Sequence, residues 1–149
     1  MSAPTRIQRR RTKGWTLSRA ADPFRGGWIV DRSSRFGNPC KVALLRELGY
    51  VDPQTAAVDN FRTWLDGSRS NAPTDEADRR RERILADLHL LRGKDLACTC
   101  SLDEACHGDV LLHRANMPAA EQAAWVSRVR ARVDRQRIAA GEKPLHPTH

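Results

Sequence analysis

Three cysteines and a histidine fall within ten residues of one another, at Cys98, Cys100, Cys106 and His107. Thiols and imidazoles are nucleophiles, general acids or bases, and metal ligands. Residues Asp95-Leu-Ala-Cys-Thr-Cys100 read as a short apolar strand, on which positions two apart share a face, so Cys98 and Cys100 point the same way. A five-residue loop then leads to Cys106 and His107 at the mouth of a helix running to about Asn116. Three chemistries suit this arrangement. Cys98, Cys100, Cys106 and His107 offer a Cys3His set for zinc, the cofactor these ligand types allow. Against that stand the Cys-x-Cys spacing, tighter than the usual Cys-x2-Cys, and the bend that adjacent Cys106 and His107 need to share one ion. Alternatively, Cys106 at a helix N-terminus is an activated thiol, or His107 is a general acid or base with Asp109 as partner. In the third, the cysteines are small buried apolar residues and His107 caps the helix.

A second stretch, Arg32-Ser-Ser-Arg-Phe-Gly-Asn-Pro39, follows the apolar run Trp28-Ile-Val-Asp31. Gly37 permits a close turn, and Asn38 before Pro39 is held out of the helical region. Arg32, Ser34, Arg35, Gly37 and Asn38 would supply cations, a hydroxyl, an amide and accessible backbone N–H groups to an anion. The sequence is neither GxxxxGK[ST] nor GxGxxG, so an ordinary strand-to-loop turn with exposed arginines is the competing reading.

These residues need a frame. The chain has 149 residues, 40% hydrophobic and 5% aromatic, enough for one domain with a core of mostly Leu, Val and Ala. Its formal net charge is +8, which favours polyanion partners such as nucleotides or nucleic acid, or else reflects a solvated arginine-rich surface. No apolar run approaches a membrane span and no signal-peptide pattern opens the chain, so a cytoplasmic protein with reduced thiols and no membrane partner is expected.

Residues 6–10, with Arg6 and Arg9 among a cluster of arginines, suggest an edge strand or a phosphate-touching arm. Residues 40–49 read as a helix. Asp52 and Pro53 open another, with Ala57, Phe61, Trp64 and Leu65 on its apolar side. Residues 66–73 read as a flexible loop. Thr74 caps a helix to Leu91 whose Arg79, Arg80, Arg81 and Arg83 would mostly face solvent, and Gly93 breaks it. Residues 119–140 form a last, Arg-rich helix with Trp125, Val126, Val129 and Val133 as a stripe. That stripe could dock on the domain, lie on nucleic acid or join a second copy as a homo-oligomer.

Taken together, Arg32-x-Ser34-Arg35-aromatic-Gly37-Asn38-Pro39 and, later, Leu91-Arg-Gly93-Lys94-Asp-Leu96-Ala97-Cys98-x-Cys100 with Cys106-His107-Gly-Asp109-Val110-Leu111 resemble the domain of unknown function 4326 family. That family occurs in bacteriophages, actinobacteria and other bacteria. The opening Arg6-Ile7-x-x-Arg-Arg-Arg11-Thr-Lys13-Gly14-Trp15 is similar too, so the resemblance spans Arg6 to about Asn116. The family usually has Trp at the positions of Phe36 and Thr99, and an apolar aromatic where Cys40 stands, which places Cys40 outside any shared site. The resemblance implies a small α/β fold and a phage or prophage context. It brings no assigned activity.

The expected architecture is a small α/β domain over residues 6–117, with a short mixed or parallel sheet flanked by helices. A C-terminal Arg-rich helix (118–140) and disordered tails (1–5 and 141–149) complete it. The Trp28 and Leu96 strands should lie side by side, bringing the Asn38 loop and the His107 helix start to one crevice at their carboxyl ends. The expected function is binding or processing of a phosphorylated or nucleotide-like ligand. Arg32, Ser34, Arg35, Gly37 and Asn38 would bind it, and His107, Asp109 and Cys106 would do the chemistry of a hydrolase or transferase acting on a nucleotide or nucleic-acid base. The alternatives are a non-catalytic basic nucleic-acid-binding accessory protein and a zinc-stabilised structural domain.

Overall fold

The four residues Asp95–Cys98 are all buried, because their strand is the middle one of three. The computed structural model describes residues 3–146 and runs β1 (Arg6–Gln8), α1 (Leu17–Ala20), β2 (Gly27–Ile29), α2 (Val42–Glu47), α3 (Pro53–Leu65) and α4 (Asp75–Asp87). A 3-10 turn (Leu88–Leu91), β3 (Asp95–Cys98), α5 (His107–Ala115) and α6 (Ala119–Ala139) follow. Strand order is β1-β3-β2 and both pairings are parallel, so the expected mixed or parallel sheet is parallel. Ile7 and Trp28 register with Ala97 and Leu96. A central parallel strand covered on both faces is apolar through its middle, as Leu96 and Ala97 are. Parallel strands also share one carboxyl end, where the loops after β1, β2 and β3 all emerge.

Asp95 anchors the opposite end. Its buried carboxylate accepts the backbone N–H groups of Thr5 (3.0 Å) and Asp22 (2.8 Å) and pairs with Arg25 (3.2 Å). Thr5 is thereby fixed, and its carbonyl accepts the N–H of Leu96, so order reaches into the expected N-terminal tail. The single turn α1 precedes β2. Thr16 caps it, and it packs so close to Gly27 that a Cβ there would lie 2.9 Å from side-chain atoms of Leu17 and Ala21.

The two long internal helices begin at their expected caps. Asp52 accepts from the N–H of Thr55 and Thr74 from that of Ala77. Phe61, Leu65, Ile84, Leu88, Leu91, Leu96 and Leu111 are the sealed centre of the core. Arg81 departs from its expected solvent face. It is buried against Asp78, and its guanidinium donates to the carbonyls of Trp64 (2.6 Å) and Ser68 (3.1 Å). Asp78, also buried, takes Arg69 (2.9 Å) and Arg137 (2.7 Å) as well. Three guanidiniums on one carboxylate explain why residues 66–73 are not a flexible loop: Ser68 and Arg69 are buried and pinned.

The stripe of α6 faces inward. Trp125, Val129 and Val133 are buried in the core, and Trp125 Nε1 donates to Asp66 (3.1 Å), so the surface that could have joined a second copy is used within the chain. Residues 141–146 also fold back rather than trailing as a disordered tail. Asp134 accepts the N–H of Leu145 (2.7 Å), and the His146 imidazole bridges Asp134 and Glu82. Of the expected tails, residues 1, 2 and 147–149 lie outside the described residues. No helix among the described residues is long and apolar enough to cross a membrane.

Candidate functional site

Cys98 closes β3, and Cys100 lies two residues on. Their sulfurs are 3.8 Å apart, and those of Cys98, Cys100 and Cys106 all fall within 4.8 Å of one another. Cys106 is the N-cap of α5, in extended conformation (φ −145°, ψ 139°), and its Sγ accepts the N–H of Gly108. His107 is the first helical residue. The change from extended to helical backbone between two neighbours turns both side chains toward one point: His107 Nδ1 is 3.9 Å from Cys106 Sγ. Nε2 lies 2.7 Å from the Val30 carbonyl. A carbonyl only accepts, so Nε2 carries the proton and, in the neutral ring, Nδ1 presents a lone pair to the sulfurs. Phe61 packs edge-on against the imidazole at 5.2 Å.

All four cysteines are free thiols. Hydrogen bonding from Cys100, then from Cys106, holds the Cys98 thiol far below its ordinary range. The same sharing, from Cys100 first, pushes Cys106 up, and burial adds to it. Cys100 is pulled down by Cys106 but raised further by Cys98 and by burial. The three thiols are thus coupled, with Cys98 pulled down and Cys100 and Cys106 pushed up.

The loop that returns the chain to Cys106 is held by Arg6, which sequence reasoning assigned to an edge strand or a phosphate arm. Its guanidinium donates to the carbonyls of Cys100 (3.4 Å), Ser101 (3.3 Å), Leu102 (3.3 Å) and Glu104 (3.0 Å) and to Asp109 (3.0 Å). Burial lowers its pKa, but the nearby Cys106 sulfur and Asp109 outweigh that and the net direction is up. Gln54 of α3 holds the same loop from the other side, donating to the Ala105 carbonyl (2.6 Å) and reaching Cys100 Sγ (3.5 Å). No periodicity or motif marks Gln54. Asp109 is exposed and paired with Arg6, and the hydrogen-bond partner of His107 is Val30 instead.

In the Arg32–Pro39 loop, Ser34 Oγ donates to the Asp31 carbonyl and accepts the N–H of Phe36. Arg35 pairs with Asp87 (2.8 Å) and lies over the rings of Trp28 and Phe36. A Cβ on Gly37 would lie 2.9 Å from Arg32 Cα and from the Asp31 carbonyl oxygen, which explains glycine there. Asn38 donates to the Ala57 carbonyl and accepts the N–H of Cys40. Four of the five expected ligand groups thus shape the loop. Arg32 alone is exposed with no ion pair or hydrogen bond to another described residue.

Arg32 and Asn38 line one crevice with Cys98, Cys100 and His107, as the paired strand ends require. The crevice holds about 330 Å³, and its rim carries Lys41, Arg46 and Glu104. Cys40 also stands in its wall, apart from the thiol cluster. Next to it lies a hollow of about 760 Å³ lined by Arg9, Arg10, Arg11, Trp15, Asp31 and Ser33; Arg32 and Thr99 border both. Arg9 is neutralised there by Asp31 (2.9 Å), whereas Arg10 and Arg11 are exposed. Burial raises the Asp31 carboxyl, but the Ser33 hydroxyl and Arg9 more than offset it, and it sits below the usual range.

Fold and site define a class: a small parallel α/β domain with a cationic crevice at the strand carboxyl ends, floored by thiols and an imidazole. The chain belongs to the family described as domain of unknown function (DUF4326), whose model matches residues 7–117. No curated protein and no solved structure matches it.

Proposed function

We propose that the strand-end crevice binds a phosphorylated or nucleotide-like anion. The observation that carries this reading is Arg32, a cation without a partner among the described residues, on the border of two adjoining hollows. Lys41 and Arg46 flank it on one side and Arg10 and Arg11 on the other, all exposed. Glu104 is the one acid on the crevice lining, and it is taken up by Ser101. A dianionic phosphate set against Arg32 gains charge-assisted hydrogen bonds without displacing an existing pair. Open parallel sheets hold ligands at this end of their strands. Trp15 in the neighbouring hollow offers a ring face on which a base could stack. If the ligand is also processed, by hydrolysis or group transfer, its reacting group lies at the Cys100 and His107 end of the crevice.

A longer polyanion is the second reading, favoured by the run of Arg10, Arg11, Arg32, Lys41 and Arg46 across both hollows. Calorimetric titration with inorganic phosphate, a nucleoside diphosphate and a short single-stranded oligonucleotide separates the two. Saturable nucleotide binding that weakens at least about tenfold in Arg32→Ala supports the crevice reading. Oligonucleotide binding with a steep salt slope, and no nucleotide binding, supports the second. No binding of any of the three, or binding that ignores Arg32, overturns both.

A further inference from the structure

Three thiols packed together under a cation call for an account that one shared proton network does not give. Cys98 and Cys106 are buried, yet they and Cys100 bring their sulfurs within 4.8 Å of one another. We infer that Cys98, Cys100, Cys106 and the Nδ1 of His107 form a zinc site. A tetrahedral zinc with Zn–S bonds of about 2.3 Å keeps its sulfurs about 3.8 Å apart. Cys98 and Cys100 already stand at 3.8 Å, and the Cys106 sulfur and Nδ1 at 3.9 Å. The three sulfurs lie within 4.8 Å of one another, so closing them to about 3.8 Å takes at most about an ångström, within reach of rotatable Cys side chains, and Nδ1 is brought in through its contact with Cys106.

Both sequence objections dissolve in the local backbone. Cys-x-Cys works because the pair sits on one face at the end of a strand. Adjacent Cys106 and His107 work because one is extended and the other helical. The surroundings fit a metal in two further ways. His107 donates its other nitrogen to the Val30 carbonyl, the outer contact that fixes tautomer and ring orientation in metal-bound imidazoles. Zn2+ with three thiolates carries one net negative charge, and the buried Arg6 guanidinium, which Asp109 shares, lies beside it on the Cys100 carbonyl. With four protein donors the site has no open position, so its role is to lock residues 99–106 under the crevice rather than to activate water. This inference is independent of what the crevice binds, but as zinc ligands Cys100 and His107 take no part in chemistry on that ligand.

The test uses the full chain purified under reducing conditions without added zinc, followed by metal analysis, thiol titration and replacement of zinc by cobalt. Expected are near-stoichiometric zinc and the strong visible bands of tetrahedral thiolate-bound cobalt. Cys98→Ser should lose metal, His107→Ala should weaken metal binding at least about tenfold and shift the cobalt bands, and Cys40→Ser should keep both intact. Should Cys98→Ser fail to fold, the thiolate-to-cobalt charge-transfer intensity of the wild-type chain still counts the sulfur ligands. The site is overturned by wild-type protein that takes up neither metal, or by fewer than three thiolates in the cobalt spectrum. Equal metal loss in Cys40→Ser also overturns it, and an unchanged His107→Ala spectrum removes His107 from it.

Discussion

The His107 imidazole and the Val30 carbonyl, 77 residues apart in sequence, meet through a 2.7 Å hydrogen bond that ties the end of β2 to the start of α5. That bond sets the tautomer of the ring. Val30 is fully buried, so truncating the ring strips an acceptor of its donor where water cannot replace it. His107→Ala should therefore lose about 1–3 kcal/mol from the unsatisfied carbonyl alone. Urea denaturation in the presence of a strong chelator checks this, because chelation removes any metal contribution from both proteins. Equal midpoints would show that the bond adds nothing to stability.

Asp95 ties three chain segments together, and its effect should depend on pH. Burial raises its pKa, but the N–H groups of Asp22 and Thr5 and the Arg25 guanidinium outweigh burial, and the net shift is downward. A depressed folded pKa contributes stability that is fully present above the unfolded value of about 4 and is lost as pH falls through the folded value. Asp95→Asn replaces one of two accepting oxygens by a donor that faces an N–H group or Arg25. It should cost about 1–3 kcal/mol at pH 7 and flatten the acid side of the stability curve. Thermal melts of both proteins between pH 7 and pH 3 read this out; parallel curves would contradict it.

Much of this frame was legible beforehand, and the failures share a cause. Asp52 and Thr74 announced α3 and α4 because cap chemistry is local. The cysteine strand and the Asn38 loop could be placed at one end of the sheet because parallel strands share a carboxyl end. By its sequence the run around Arg81 faces solvent, since nothing local distinguishes a guanidinium that meets buried carbonyls from one that meets water. Nor does the local sequence show that the Ser34 hydroxyl closes its own turn or that the Arg35 guanidinium pairs with Asp87. Asp109 looked like a partner for His107, but its position two residues into α5 turns it outward to Arg6. Partners from distant segments decided each case.

Asp78 is the most exacting position in the scaffold. It is fully buried and holds Arg69, Arg81 and Arg137, thereby joining α4, the 66–70 segment and the C-terminal end of α6. Removing the carboxylate leaves buried cations uncompensated, a loss of about 3–5 kcal/mol for breaking a buried pair from one side. Asp78→Ala should unfold the chain or lower its melting temperature severely. Arg137→Ala removes one guanidinium of three and should be milder, with hydrogen exchange rising first along the end of α6. The reverse order of severity would mean that α6 docking, not the buried carboxylate, governs this face.

Arg32 and Gly37 separate binding from scaffolding within one loop. Arg32 has an exposed side chain with no partner among the described residues, so Arg32→Ala should leave the melting temperature within error and reduce affinity for a phosphorylated ligand. If the ligand is a polyanion, the salt slope of binding should fall by about one as well. Gly37→Ala puts a methyl 2.9 Å from two backbone atoms, Arg32 Cα and the Asp31 oxygen, and neither can swing aside as a flexible side chain would. The loop must shift, carrying Arg32 with it and straining the Gly37 carbonyl bond to Arg80. This variant should therefore lose both stability, by about 1–3 kcal/mol as overpacking does, and affinity. Paired melts and titrations of the two variants decide the matter: affinity lost only together with stability would make the loop a scaffold and not a binding surface.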